Sequence, residues 1–228
     1  MPPTTDAAIA VDAPPALQSG RWEGVLMRAA YDPFLFVAER LGMARRRRRL
    51  LARARGRVLE IGVGTGLNAR HWPDGIDELI VTEPLAEVLP RVERRLRRTG
   101  REARAVAAPA ERLPVPDSSV DTIVSTLVLC TVDDVEASLA EARRALRPGG
   151  RLLFIEHVRA DGAVRSRAQD LVHGAWRAFG GGCNCNLPTL ELIRRAGFTV
   201  EDVERGRWRG MPFCVKPLVS GSARSTLD

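Results

Sequence analysis

The chain has 228 residues, 45% hydrophobic and 28% charged, with a formal net charge of +7. That balance fits one large globular domain and excludes a collagen, a coiled coil and a chain disordered throughout. No apolar run reaches the roughly 18–20 residues of a membrane-spanning helix, and the N-terminus lacks the pattern of a signal peptide, so a cytoplasmic location is expected.

Residues 1–20 are rich in Pro, Ala, Thr and Asp without a sustained apolar period, and a disordered tail is expected there. Between Trp22 and Leu51 apolar residues recur at helical spacing, broken at Asp32-Pro33, which predicts two helices forming a helical N-terminal cap over 21–56. Its basic run, Arg45 to Arg49, reads as a solvated helix face or, less commonly, as a grip for phosphates or lipid head groups. Because Lys216 is the only lysine, the arginine excess fits codon bias as readily as phosphate contacts.

The period then changes. Arg57-Val58-Leu59-Glu60-Ile61 is a short β-rich run ending in glycines, as a buried parallel strand would be. From there elements alternate: a helix starting over Leu67 to His71, a strand Glu78 to Thr82, a helix Leu85 to Thr99, and strands Ala103 to Ala107 and Val120 to Thr126. A helix Val135 to Leu146 stops at Arg147-Pro148-Gly149-Gly150, and Arg151 to Glu156 is the strand after it. The alternation predicts a doubly wound α/β domain over 57–228. A helix Thr189 to Ala196, a strand Phe198 to Arg205 and an extended stretch Phe213 to Ala223 follow, the last two closing the sheet as a hairpin.

Glu60-x-Gly62-x-Gly64-x-Gly66 lies between the first strand and its helix, so a ligand can rest over backbone amides there. A dinucleotide fingerprint would place its third glycine at Leu67, and the anionic Glu60 would repel a pyrophosphate while suiting an ammonium group. Glu83 ends the second strand about 20 residues further on, where an acid commonly accepts hydrogen bonds from ribose hydroxyls. Loop and acid together describe a nucleoside joined to an amino acid.

Five stretches now resemble the class I S-adenosylmethionine-dependent methyltransferases of type 11. They are Val58 to Gly66, Val81-Thr82-Glu83-Pro84, Ala110 to Pro114, Val120 to Ser125 and Leu146 to Leu152. The resemblance implies a Rossmann-like seven-stranded sheet with its last strand antiparallel. It also implies S-adenosylmethionine as cofactor, with Glu60, Gly62, Gly64, Gly66 and Asn68 around the methionine portion. Glu83 and Pro84 would meet the ribose, and Thr126 with Leu127 the methionine side. Pro109 stands where many relatives carry an aspartate for the adenine amino group, which leaves adenine to Ala110, Glu111 or shape.

A closer likeness is to the thiol S-methyltransferase branch. It rests on Asn68, Thr126 to Val132, Glu156-His157-Val158, the spacing of Gln169 and Trp176, Gly182-Cys183-Asn184, Val215-Lys216-Pro217 and Gly221. The implied activity is S-methylation of a small-molecule thiol or dithiol, for detoxification or capping, by a version without the N-terminal apolar anchor of mammalian-type members. The chemistry agrees. A thiol of pKa about 8.5 supplies some thiolate at neutral pH and needs little help from a base, whereas an alcohol needs a base or a metal. No paired carboxylates or serine elbow are visible. Rival readings are N-, O- or C-methylation of a phospholipid amine, phenol or quinone, and an RNA methyltransferase or regulatory nucleic-acid-binding protein. The arginine run lacks the interleaved aromatics that nucleic-acid binding would use, so no nucleic-acid partner is expected, nor membrane insertion; a monomer is favoured.

His157, at the carboxyl end of the fifth strand, is the candidate base or orienting residue, with a structural histidine as its alternative. His173 and Trp176 lie in a substrate-cap insertion over 161–188, and Tyr31 precedes the cap break; each is a candidate substrate contact or plain core. Trp22, Phe179 and Trp208 could line an apolar acceptor pocket, and His71 beside Trp72-Pro73 reads as packing. Cys130, Cys183, Cys185 and Cys214 are too few for a disulfide scaffold, and Cys183-Asn184-Cys185 has no second close pair to complete a metal site. Reduced thiols, no metal and a flexible loop beside the pocket are expected.

Overall fold

The computed structural model describes residues 36–226. Tyr31, Trp22, the 1–20 segment and the break at Asp32-Pro33 lie outside the described residues. Strands β1 (Gly56–Ile61), β2 (Ile76–Glu83), β3 (Arg104–Ala107), β4 (Val120–Thr126), β5 (Leu146–His157), β6 (Phe198–Arg207) and β7 (Pro217–Ser225) form one sheet, ordered β3-β2-β1-β4-β5-β7-β6. The pairings from β3 through β5 are parallel; β7 is antiparallel to both its neighbours, β5 and β6. The chain steps outward from β1 to β3 and returns to β4 on the other side of β1. The carboxyl ends of β1 and β4 therefore flank the crevice where open α/β sheets take ligands.

Helices α1 (Ala44–Leu51), α2 (Leu89–Arg97), α3 (Val135–Ala145), α4 (Ala163–Phe179) and α5 (Thr189–Arg195) cover both faces. Adjacent strand residues point opposite ways. Val58, Val124, Leu153 and Ile155 pack with α1, α2 and Trp176 of α4, while Leu59, Ile123, Leu152 and Phe154 pack with α3 and α5. Covering both faces is why Val58-Leu59 of β1, Ile123-Val124 of β4 and Leu152 to Ile155 of β5 are apolar without alternation. Each large apolar side chain so buried contributes roughly 1.5–3 kcal/mol.

The elements differ from expectation at several points. The stretch expected to be extended from Phe213 begins with a 3-10 turn, Phe213–Val215, and β7 starts at Pro217. The helix expected from Leu67 is only a 3-10 turn at Ala69–His71, because Trp72 is already extended ahead of Pro73. The next helix is likewise a 3-10 turn, Ala86–Val88, before α2 begins with Pro90 in its first turn. Arg147-Pro148-Gly149-Gly150 does not precede β5 but bulges within it: Leu146 pairs with Val120, and the register resumes at Arg151 opposite Thr122. Finally α4 fills most of 161–188, where no helix was assigned.

The cap helix is locked down by its arginines. Arg46 donates to Ser220 at 2.8 Å, and Arg53, just past α1, pairs with Asp202 at 2.6 Å, tying α1 to β6 and β7. The Arg45–Arg49 run is not one solvated face. Arg45, Arg48 and Arg49 are exposed, but the helical period turns Arg46 partly and Arg47 wholly inward, to 5% exposure.

Candidate active site

Glu60, near the end of β1, faces the crevice and is buried at 3% exposure. Asn68 donates from Nδ2 to Glu60 Oε1 at 2.8 Å and to Thr126 Oγ1 at 3.0 Å, so one amide joins β1, the glycine loop and β4. Arg47 Nη1 donates to Asn68 Oδ1 at 3.0 Å, and Arg47 Nε pairs with Glu39 at 3.0 Å. A chain of polar groups thus runs from the cap to the floor of the crevice. Burial pushes the Glu60 carboxyl up to about 7, against the Asn68 hydrogen bond and the Arg47 charge, which pull it down.

The loop after β1 is shaped by two of its glycines. Gly62 has φ +57, and a Cβ there would lie 2.7 Å from Val128 Cγ1. Gly64 has φ +53, and the nearest atom to its hypothetical Cβ is the Gly62 carbonyl at 4.0 Å. The Gly64 N–H donates to Glu83 Oε2 at 2.9 Å, so the acid ending β2 also fixes the loop. Glu60 Oε2 is buried without a partner. A bare backbone shelf, an unmet carboxylate oxygen and an acid at the end of β2 fit a nucleoside with an amino-acid ammonium; the residues suit the expected cofactor.

Opposite this shelf, Glu156 organises the turn after β4. Its Oε1 accepts from Ser125 Oγ at 2.6 Å and from the amides of Val128 and Leu129 at 3.2 and 3.3 Å. That grip holds half-buried Leu127 at φ +61, a conformation disfavoured for a side chain of this size, and sets Cys130 deep in the core. Burial pushes Glu156 up to about 7.

His157 is also buried at 3%, lies 5.0 Å from the Trp208 ring and is lowered to about 4 by burial, so its imidazole is neutral at physiological pH. His173 meets Asn184 at 2.9 Å, Trp176 is buried, and Phe179 is exposed at 59%. His71, half-buried under several arginines, falls to about 4, first through burial. Glu111 accepts from the amides of Asp133 and Asp134 at 3.0 and 3.1 Å, which engages its carboxylate at the start of α3; neighbouring Ala110 is buried. Pro84 is exposed.

The fold also gathers what sequence neighbours could not show. Cys183 and Cys185 are not on an open loop; both are buried, and Cys183 meets Cys130 and His157. Gln169 of α4 holds this region together, its Nε2 amide donating to the carbonyls of Val158, Cys185 and Cys214 at 2.8–3.2 Å. All four cysteines are free thiols.

A doubly wound sheet whose switch point carries such a shelf and acid has the features of a domain suited to an amino-acid-bearing nucleoside. The methyltransferase-domain family, type 11, matches residues 59–154. The thiol S-methyltransferase TMT1B of Mus musculus is 34% identical over 177 residues, covering 73% of this chain and 69% of the relative. In solved structures, N-methyltransferase NodS from Bradyrhizobium japonicum aligns with TM-score 0.62 at 17% identity, covering 85% of this chain and 97% of that one. The [4+2]-cyclase SpnF aligns at 0.63 and 20%, covering 83% and 81%; at such identities the likeness speaks for fold alone. The chain belongs to the type 11 family of class I S-adenosylmethionine-dependent methyltransferases. Among the described residues, no helix is long and apolar enough to cross a membrane.

Proposed function

We propose that this chain methylates the sulfur of a small-molecule thiol. The observation that carries this reading is the 34% identity to a thiol S-methyltransferase over 177 residues, far longer than the matched domain core. S-adenosylmethionine, when bound, supplies an electrophilic methyl group on a sulfonium. Glu83 accepts from the ribose, Glu60, oriented by the Asn68 amide, holds the ammonium end, and Thr126 and Leu127 border the methionine portion. Ala110 and the shape around it take the adenine, since Glu111 is drawn through its Oε1 to the start of α3.

The acceptor edge supports a thiol on chemical grounds. The neutral, buried His157 is a poor base for an alcohol, and Glu156 already gives one of its two oxygens to the turn after β4. A thiol needs neither, because alignment with the methyl donor supplies most of what an in-line displacement requires.

The raised Glu60 sets a pH dependence. Donor affinity is expected to rise as pH climbs through about 7 and Glu60 ionises, then to fall as the ligand's own α-amino group deprotonates near 7.7–8.0. Calorimetric titrations from pH 6 to 9 measure this, and a flat profile removes Glu60 from the ammonium role. For the unliganded protein the sign is opposite. A carboxyl raised in the folded state favours folding below its unfolded value of 4.5, and that contribution is lost as pH rises through about 7.

The substrate is tested by offering labelled donor with a panel of thiols, phenols, amines and lipids. Turnover is expected with thiols; turnover confined to the other classes overturns the S-methylation reading while leaving the family assignment intact.

A further inference from the structure

Cys130 in the turn after β4, His157 at the end of β5 and Cys183 in the loop after α4 have ligating atoms all within 4.8 Å of one another. All three are buried, at 1%, 3% and 4% exposure. His157 Nδ1 has no hydrogen-bond partner, while its ring is bonded to the Val215 backbone. Nδ1 is thus the ring nitrogen with no partner of its own. An imidazole pinned through one nitrogen by a backbone group, with the other bare, is the state in which histidine ligates metal. Among the described residues no other trio of His, Cys, Asp and Glu comes together this closely.

We propose that Cys130, His157 and Cys183 bind a zinc ion whose fourth coordination position stays open to an exogenous ligand. Two thiolates and an imidazole select zinc over magnesium or calcium, and three protein ligands mark open rather than closed structural sites. At a Zn–S distance of about 2.3 Å the ligands of a zinc tetrahedron stand roughly 3.8 Å apart, so loading contracts the trio by at most about 1 Å. Charge favours it too: a dication with two thiolates is neutral overall, a tolerable charge state deep in the protein beside Glu156. Loading is a ligand exchange without redox change. Hydrated Zn²⁺ gives up water, each cysteine gives up one proton, and His157 contributes only its lone pair.

The open position takes a substrate thiol as thiolate, its proton passing to solvent; this step rests on the S-methylation reading. A zinc-held sulfur would present the nucleophile beside the turn after β4 without a general base. The expectation of no metal came from the spacing along Cys183-Asn184-Cys185, whereas the trio spans three elements.

The test uses the whole reduced protein, stripped with a chelator and titrated with Co²⁺ and then Zn²⁺. One equivalent of Co²⁺ should give a thiolate-to-cobalt charge-transfer band and the visible bands of a tetrahedral ion, both lost when Zn²⁺ displaces it. Cys130→Ser and Cys183→Ser should each lose the charge-transfer intensity and Cys185→Ser should keep it. Should those variants misfold, the wild-type protein still decides: one equivalent of Zn²⁺ releases about two protons and shields two of the four thiols from alkylation. No band, no proton release, or a band undiminished in both variants overturns the site, as does a Cys130–Cys183 disulfide that takes no zinc. Added 2-mercaptoethanol should shift the cobalt spectrum; an unmoved spectrum overturns the open position. Donor binding is measured on the same samples. Protein that binds donor but no cobalt refutes only the zinc site, and cobalt-bound protein that turns over only non-thiol acceptors refutes only the substrate thiol as fourth ligand.

Discussion

Glu83→Ala is expected to weaken S-adenosylmethionine binding by about 1–3 kcal/mol, roughly five- to 150-fold, with little change in the folded core. The side chain acts twice. It sits where the ribose hydroxyls would be met, and its Oε2 holds the Gly64 N–H at 2.9 Å, so alanine removes a charge-assisted acceptor and slackens the shelf on which the ligand lies. Glu83→Gln separates the two roles, since the amide oxygen can still accept from Gly64 while the negative charge is gone. Calorimetry on both variants should place glutamine between wild type and alanine. Unchanged affinity in Glu83→Ala contradicts the assignment of this acid to the ribose.

Arg47→Ala should be the most destabilising change in the basic run, costing about 3 kcal/mol, while Arg45→Ala, Arg48→Ala and Arg49→Ala stay within roughly 0.5 kcal/mol. Arg47 is the one buried arginine of the five. Its removal strands Glu39, leaves Asn68 Oδ1 without its donor and takes from Glu60 a charge that favours its ionised form. Donor affinity should fall with stability, because Asn68 orients Glu60. Urea unfolding of the four variants checks this, and equal midpoints would show that the buried guanidinium has no structural role.

Much of the donor half was legible because its signals are local. A strand buried on both faces is rich in apolar residues, a left-handed backbone turn calls for glycine, and an acid at a strand end is visible as such; β1, the turns at Gly62 and Gly64 and the place of Glu83 at the end of β2 all follow. Helix α4 was not legible. Gln169 and Trp176 are its only buried side chains, while Val164 and Leu171 face outward at 82% and 86% exposure, so its apolar residues do not mark the face that packs. Arg47 was hidden for a related reason: in a run of identical residues, only the phase of the helix distinguishes the buried one. Residues 130, 157 and 183 could not be grouped because no local rule links them; crossovers of the chain bring them to one edge of the sheet.

The place of β7 between β5 and β6 has a consequence for the order of synthesis. As the polypeptide leaves the ribosome, β6 emerges before β7 yet has no partner on the sheet, because the strand that joins it to β5 has still to be translated. Until residues 217–225 arrive, the nascent domain exposes the outer edge of β5, an invitation to pair with other chains. Acquisition of the native state is therefore post-poned to the final wedge, and chaperone demand during biogenesis should concentrate in that interval.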